Sequence, residues 1–196
     1  MKYKDKPQNQ KNHGFFGSDR YWELYWAATN EDNMYSAAEI ENAQIELADH
    51  YLAEGDIENA HEYYLMAALD NSVLGACKLA SLYEDRIVYR KNPRTCIEYY
   101  CMAAIAYEDI IDTMSPGENQ QYIKELPSGA ERYMNAVLFK HFPELGIPDA
   151  DAEYAISNYL YYYGKFDRSD EWLKRAAEDG CYGAIETLDE YRRKNG

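Results

Sequence analysis

The sequence predicts an all-α fold, a solenoid of stacked helix pairs, and three observations predict it. Leu47-Ala48 followed by Tyr51 returns as Leu79-Ala80 followed by Tyr83, 32 positions on. Tyr63-Tyr64 followed by Ala67-Ala68 returns as Tyr99-Tyr100 followed by Ala103-Ala104, 36 positions on, so the added residues fall in a loop between the two motifs. A shift of 109 positions then aligns Leu47 with Ile156, Gly55 with Gly164, Tyr63 with Trp172, Ala67-Ala68 with Ala176-Ala177 and Leu79 with Leu188, without a gap. A repeat of this length built from two helices cannot bury its apolar face alone, so its neighbours must stack on it.

Taken in order, 21–28 reads as the second helix of a leading unit, because Trp26-Ala27-Ala28 resembles the later aromatic and double-alanine endings. Ala60, Tyr63, Tyr64, Ala67 and Ala68 recur at three- and four-residue spacings, which places them along one helix face. The small residues let helix backbones approach, and the tyrosines supply buried area with a hydroxyl free to reach a partner. Gly55 and Gly164 fit the turns that end first helices. Asn92 reads as an N-cap and Pro93 as the first helical residue after it. The stretch 105–150 has room for a diverged unit, with a helix over 120–126, a turn at Pro127-Ser128-Gly129 and a helix over 130–142. Asp149 and Asp151, after Pro148, mark a further helix start, where carboxylates satisfy free backbone amides.

The arrangement resembles the Sel1-like repeat family, relatives of the tetratricopeptide repeats. It is carried by Leu47, Ala48, Tyr51, Gly55, Ala60, Tyr64, Ala67 and Ala68 in one unit and by Leu79, Ala80, Tyr83, Tyr100, Ala103 and Ala104 in the next. The resemblance covers 43–104 and 152–191; Ser169 departs from it where Ala60 sets the pattern, and Leu160 where Tyr51 does. It implies a right-handed α-solenoid of antiparallel helix pairs whose first helices line a concave surface that binds proteins or peptides. In one branch of the family, paired cysteines staple successive repeats. Here Ala68 and Ala177 stand where Cys77 and Cys181 would need partners, and Cys96 and Cys101 diverge on one helix, so all four read as reduced packing residues.

The chain of 196 residues reads as a flexible arm over 1–18 and a single repeat domain over 19–196. It has no apolar run long enough for a signal peptide or a membrane span, which points to the cytoplasm. Charge is the sharper observation. The net charge is -15, and the 57 residues between Arg20 and Lys78 hold twelve Asp and Glu and no Lys or Arg. Nucleic acid requires a basic track, so it is excluded as a partner, whereas a basic protein would be attracted. Basic residues gather in Arg86, Arg90, Lys91 and Arg94 and in Arg192-Arg193-Lys194, short clusters that read as solvated.

Register alone nominates the binding surface: Glu46, Asp49 and His50 in the first repeated unit, Lys78, Ser81 and Glu84 in the second, and Asn158, Tyr161 and Tyr162 in the last. A helix cannot bury every side of Tyr159, Tyr161, Tyr162 and Tyr163, so at least one ring should be exposed, and exposed tyrosines are favoured interface anchors. His13, His50, His61 and His141 are scattered and lack metal-ligand spacing, although His50 and His61 could face each other across a helix pair. No phosphate-cradling loop or nucleophile elbow is present. The expectation is a non-enzymatic protein without metal or cofactor. It would capture another protein, as an inhibitor of a basic toxic effector in the manner of an immunity protein or antitoxin, or as an adaptor. The alternative is a hydrolase of the β-lactamase kind described for cysteine-stapled Sel1-like proteins, whose staples and serine-lysine pair this chain lacks.

Overall fold

A computed structural model describes residues 14–29, 34–85 and 92–195. His13, Arg86, Arg90 and Lys91 lie outside the described residues, as does most of the expected arm. Every regular element among the described residues is helical. Contacts within the chain gather into two compact units, one ending at Asp70 and one beginning at Asn71.

The first unit contains α1 (Asp19–Thr29), α2 (Ala37–Ala53) and α3 (Ile57–Leu69), each packed on the next. Ser36 opens α2 with a reciprocal capping box to Glu39, and Asp56 caps α3 by accepting from the Asn59 amide at 3.2 Å. Between them Gly55 takes a φ of 79°, the left-handed conformation that a β-carbon would penalise. Leu47, Ala48, Ala60 and Ala67 are fully buried, so the repeated letters are the helix-to-helix contact. The Tyr51 and Tyr63 rings stack at 5.6 Å, and the Tyr21 and Tyr51 hydroxyls meet at 3.2 Å. The last residues of the expected arm make contacts with the first unit. Phe15 stacks on His50 at 3.5 Å, Phe16 lies 4.7 Å from Tyr51, and the Ser18 hydroxyl accepts from the Tyr21 amide. Both phenylalanine rings are half-buried there.

The second unit runs through α4 (Val73–Glu84), α5 (Pro93–Ile110), α6 (Pro116–Glu125), α7 (Glu131–His141), α8 (Ala150–Tyr162), α9 (Phe166–Glu178) and α10 (Tyr182–Asn195). The α4–α5 and α8–α9 pairs pack closely, and α10 follows on α9. Asn92 caps α5 through the Thr95 amide with Pro93 behind it, Asp149 caps α8 through the Ala152 amide at 3.0 Å, and Gly164 closes α8 with a φ of 71°.

The stretch 105–150 departs from a repeat. The α5 helix continues to Ile110, α6 starts at Pro116 behind a capping box on Ser115, and α7 packs on α5 and α8 more than on α6. Two polar anchors account for this. Asn119, fully buried, accepts from the Tyr107 hydroxyl at 2.8 Å and so holds α6 to α5. Glu108 on α5 accepts from Lys140 on α7 at 2.6 Å and from Arg168 on α9 at 2.7 Å, with the Trp172 indole at 3.4 Å. Burial alone would raise the Glu108 carboxyl, but the two cations overcome it and hold it below its ordinary value.

Candidate functional site

The residues nominated by register meet different fates. In the first unit Glu46 is taken by Arg20, whose guanidinium donates two hydrogen bonds to it, the shorter 2.6 Å. Asp49 accepts from the Tyr64 hydroxyl, and the His50 ring lies under Phe15. On α4, Ser81 donates back to the Cys77 carbonyl at 3.0 Å, and Glu84 accepts from the Tyr100 hydroxyl at 2.6 Å. Gly129 passes so close to that last pair that a β-carbon there would overlap the phenol. These polar groups are engaged with their own fold.

On α8 the outcome is the reverse. Asn158, Tyr161 and Tyr162 line one open groove of about 790 Å³ on the second unit, opposite Ile97 and Glu98 of α5. Its floor is built from Cys101 and Ala155, small side chains that leave depth between the two helix ridges. Along α8 the lining runs from Asp151 to Tyr162, a span of about 17 Å at the helical rise. That length matches a few extended residues of a polypeptide, and the volume lies within the range of small-molecule sites as well.

Its aromatic end has a defined geometry. Tyr161 meets Phe166 edge-on at 5.3 Å, Tyr159 and Tyr163 lie 4.6 Å apart, and Tyr162 meets Tyr163 edge-on at 5.2 Å. Tyr162 is 75% exposed and Phe166 57%, large values for rings at a helix end with apolar neighbours. Tyr159 is half-buried, and burial, followed by the neighbouring Tyr163, Cys101 and Glu98, pushes its phenol up to about 12, so it remains a neutral hydrogen-bond donor. No family model, curated protein or solved structure matches this chain. The groove must therefore be read from its own chemistry.

The groove presents rings, carboxylates and one arginine. Among the described residues no group of three His, Cys, Asp or Glu side chains is placed to hold a metal ion. Burial pushes the Cys77 thiol up to about 12 and raises Cys101 as well, which leaves both as protonated packing groups rather than nucleophiles. All four cysteines are free thiols. Among the described residues no helix is long and apolar enough to cross a membrane. The cations of the carboxy-terminal cluster are held locally, Arg192 by Asp189 at 3.1 Å and Lys194 by Glu190 at 3.6 Å.

Of the residues nominated from sequence, Asn158, Tyr161 and Tyr162 line the α8 side of the groove and none lines its α5 side. Ile97 and Glu98 stand on a second helix of a pair, where register puts no binding surface. Tyr159, Tyr161 and Tyr162 carried the only signal, an aromatic run too dense for one helix to bury.

Proposed function

We propose that this protein is a non-enzymatic binder that captures another protein on the tyrosine-lined groove between α5 and α8. The observation that carries the reading is the exposure of Tyr161, Tyr162, Tyr163 and Phe166 around one groove, in a chain whose Tyr64 and Tyr100 are buried and hydrogen-bonded. Tyrosine supplies large, rigid, amphipathic contact area at low entropic cost, which is why it concentrates at interface centres. The helix pairs belong, on this reading, to a right-handed solenoid of the Sel1-like kind acting in the cytoplasm.

Two uses fit such a surface, a dedicated inhibitor of a basic effector and an adaptor within an assembly. The net charge of -15 favours the inhibitor, because opposite charge accelerates encounter with a basic target. The test is affinity capture from the native host, with the wild-type chain compared against a Tyr161→Ser, Tyr162→Ser double variant of equal thermal stability. One stoichiometric partner that is lost from the variant, and whose own activity falls on binding, supports the inhibitor. A set of partners from one assembly, lost together, supports the adaptor. Capture that ignores the double substitution removes the groove from the account.

A further inference from the structure

We propose that the groove takes an arginine side chain from a basic partner segment, the guanidinium lying against the tyrosine rings and paired with Glu98. This rests on the protein-binding reading above and names the chemistry that the groove selects.

Charge and shape converge on the same ligand. Glu98 projects from α5 into the aromatic end of the groove, close enough for its charge to act on the Tyr159 and Tyr99 phenols. Asp151, at the far end of the α8 lining, is 79% exposed and already paired with Arg132 at 3.5 Å, so Glu98 is the carboxylate beside the rings. Rings that present their faces beside a carboxylate favour a cation, because the ring quadrupole and the anion attract it together. Among cations, guanidinium fits better than ammonium. It is planar, stacks on aromatic faces, sheds water more readily and can pair with a carboxylate while stacked.

The chain itself rehearses the contact. Arg94, one turn before Glu98, donates from Nε to Oε1 at 3.0 Å and lines the same groove. Its side chain is 81% exposed, so the pair is a surface pair of small net value that an incoming arginine can displace. Arg94 thus acts as an internal competitor. Removing it should tighten binding of an arginine ligand, a sign that loss of a merely structural residue would not produce. The rest of the groove, with Ile97 on one ridge and Ala155 in the floor, offers apolar surface to the residues flanking the arginine.

The probe is a short fluorescein-labelled peptide alternating arginine and alanine, with lysine and citrulline counterparts, titrated against the full chain near physiological salt. Citrulline keeps the shape and most of the donors of arginine but removes its charge. The arginine peptide should bind about tenfold or more tightly than the citrulline peptide and measurably better than the lysine peptide. Glu98→Gln and Tyr162→Ala should each weaken it by about tenfold, and Arg94→Ala should strengthen it severalfold. Equal binding of arginine and citrulline peptides, both weakened by Tyr162→Ala, would overturn the arginine proposal and leave the groove as the binding site. Arginine binding that is indifferent to both Glu98→Gln and Tyr162→Ala would place the cation elsewhere on the acidic surface and overturn both readings. If Tyr162→Ala instead converts a sedimenting dimer to monomer, a second copy of the chain fills the groove and the proposal falls.

Discussion

The α2–α3 pair of the first unit and the α8–α9 pair of the second share one repeat register and use it for opposite ends. In α2–α3 Ala48 and Ala60 are fully buried, and Glu46, Asp49 and His50 are engaged by Arg20, Tyr64 and Phe15. In α8–α9 the matching positions are Ser157 and Ser169, whose hydroxyls each donate to the other's backbone carbonyl at 3.0 Å. That reciprocal bonding satisfies two buried hydroxyls across the helix pair. The outer face of α8 is left with Asn158, Tyr161 and Tyr162 facing solvent. A repeat thus separates the residues that hold it together from those it offers outward, and the same register position can go either way.

The largest effects should fall where the two pairs agree. Trp172→Ala empties the fully buried position that matches Tyr63 and should cost about 3–5 kcal/mol in chemical denaturation. Ala67→Trp overfills the fully buried α3 position that matches Ala176 and should cost about 1–3 kcal/mol or more. An unchanged midpoint for either variant would break the shared register.

A pH experiment sharpens the comparison, because α8–α9 buries a charge that α2–α3 lacks. Glu153 is 0% exposed, pairs with Arg175 at 2.7 Å and leaves Oε2 without a hydrogen-bond partner. Burial pushes its carboxyl up to about 7 against the pull of Arg175, with the Asp179 carboxylate adding to the rise. The folded chain therefore keeps a proton that the unfolded chain has released above the ordinary carboxylate range. Stability from this group is full below that range and is lost as pH rises through about 7. The melting temperature of Glu153→Gln should accordingly gain on that of wild type between about pH 5 and about pH 8. A constant difference would mean that Glu153 is ionised throughout. Glu108 and Asp149, both held below their ordinary values, act in the opposite sense and lose their contribution only in acid.

The smallest stability effects are the most informative about function. Tyr64→Phe removes the hydroxyl that serves Asp49 and should cost about 1 kcal/mol. Tyr162→Ala removes a ring that is 75% exposed and should change stability by no more than about 0.5 kcal/mol. A costly Tyr162→Ala would show that the ring serves the fold, and the contrast between the two pairs would disappear.

Much of this was legible in the letters, for identifiable reasons. Asn92-Pro93, Gly55 and Gly164 encode their caps and turns locally, so sequence reached them directly. The buried faces followed from helical spacing. The engagement of Glu46 and Asp49 was not legible, because Arg20 lies 26 residues away and Tyr64 lies 15 away, each on another helix. The groove needs α5 beside α8, two helices separated in sequence by the stretch where the repeat signal fades, so Ile97 and Glu98 could not be joined to Tyr161 beforehand.

The central claim is that the chain binds with the tyrosine groove of the second unit and not with the acidic α2 face of the first. Site-specific crosslinking tests it most directly, with a benzophenone amino acid placed in turn at position 162 and at position 46 of the full chain in the native host. A partner that crosslinks from position 162 and not from position 46, and whose binding survives Tyr64→Phe, is the predicted result. The same partner crosslinking from position 46 alone would contradict the account.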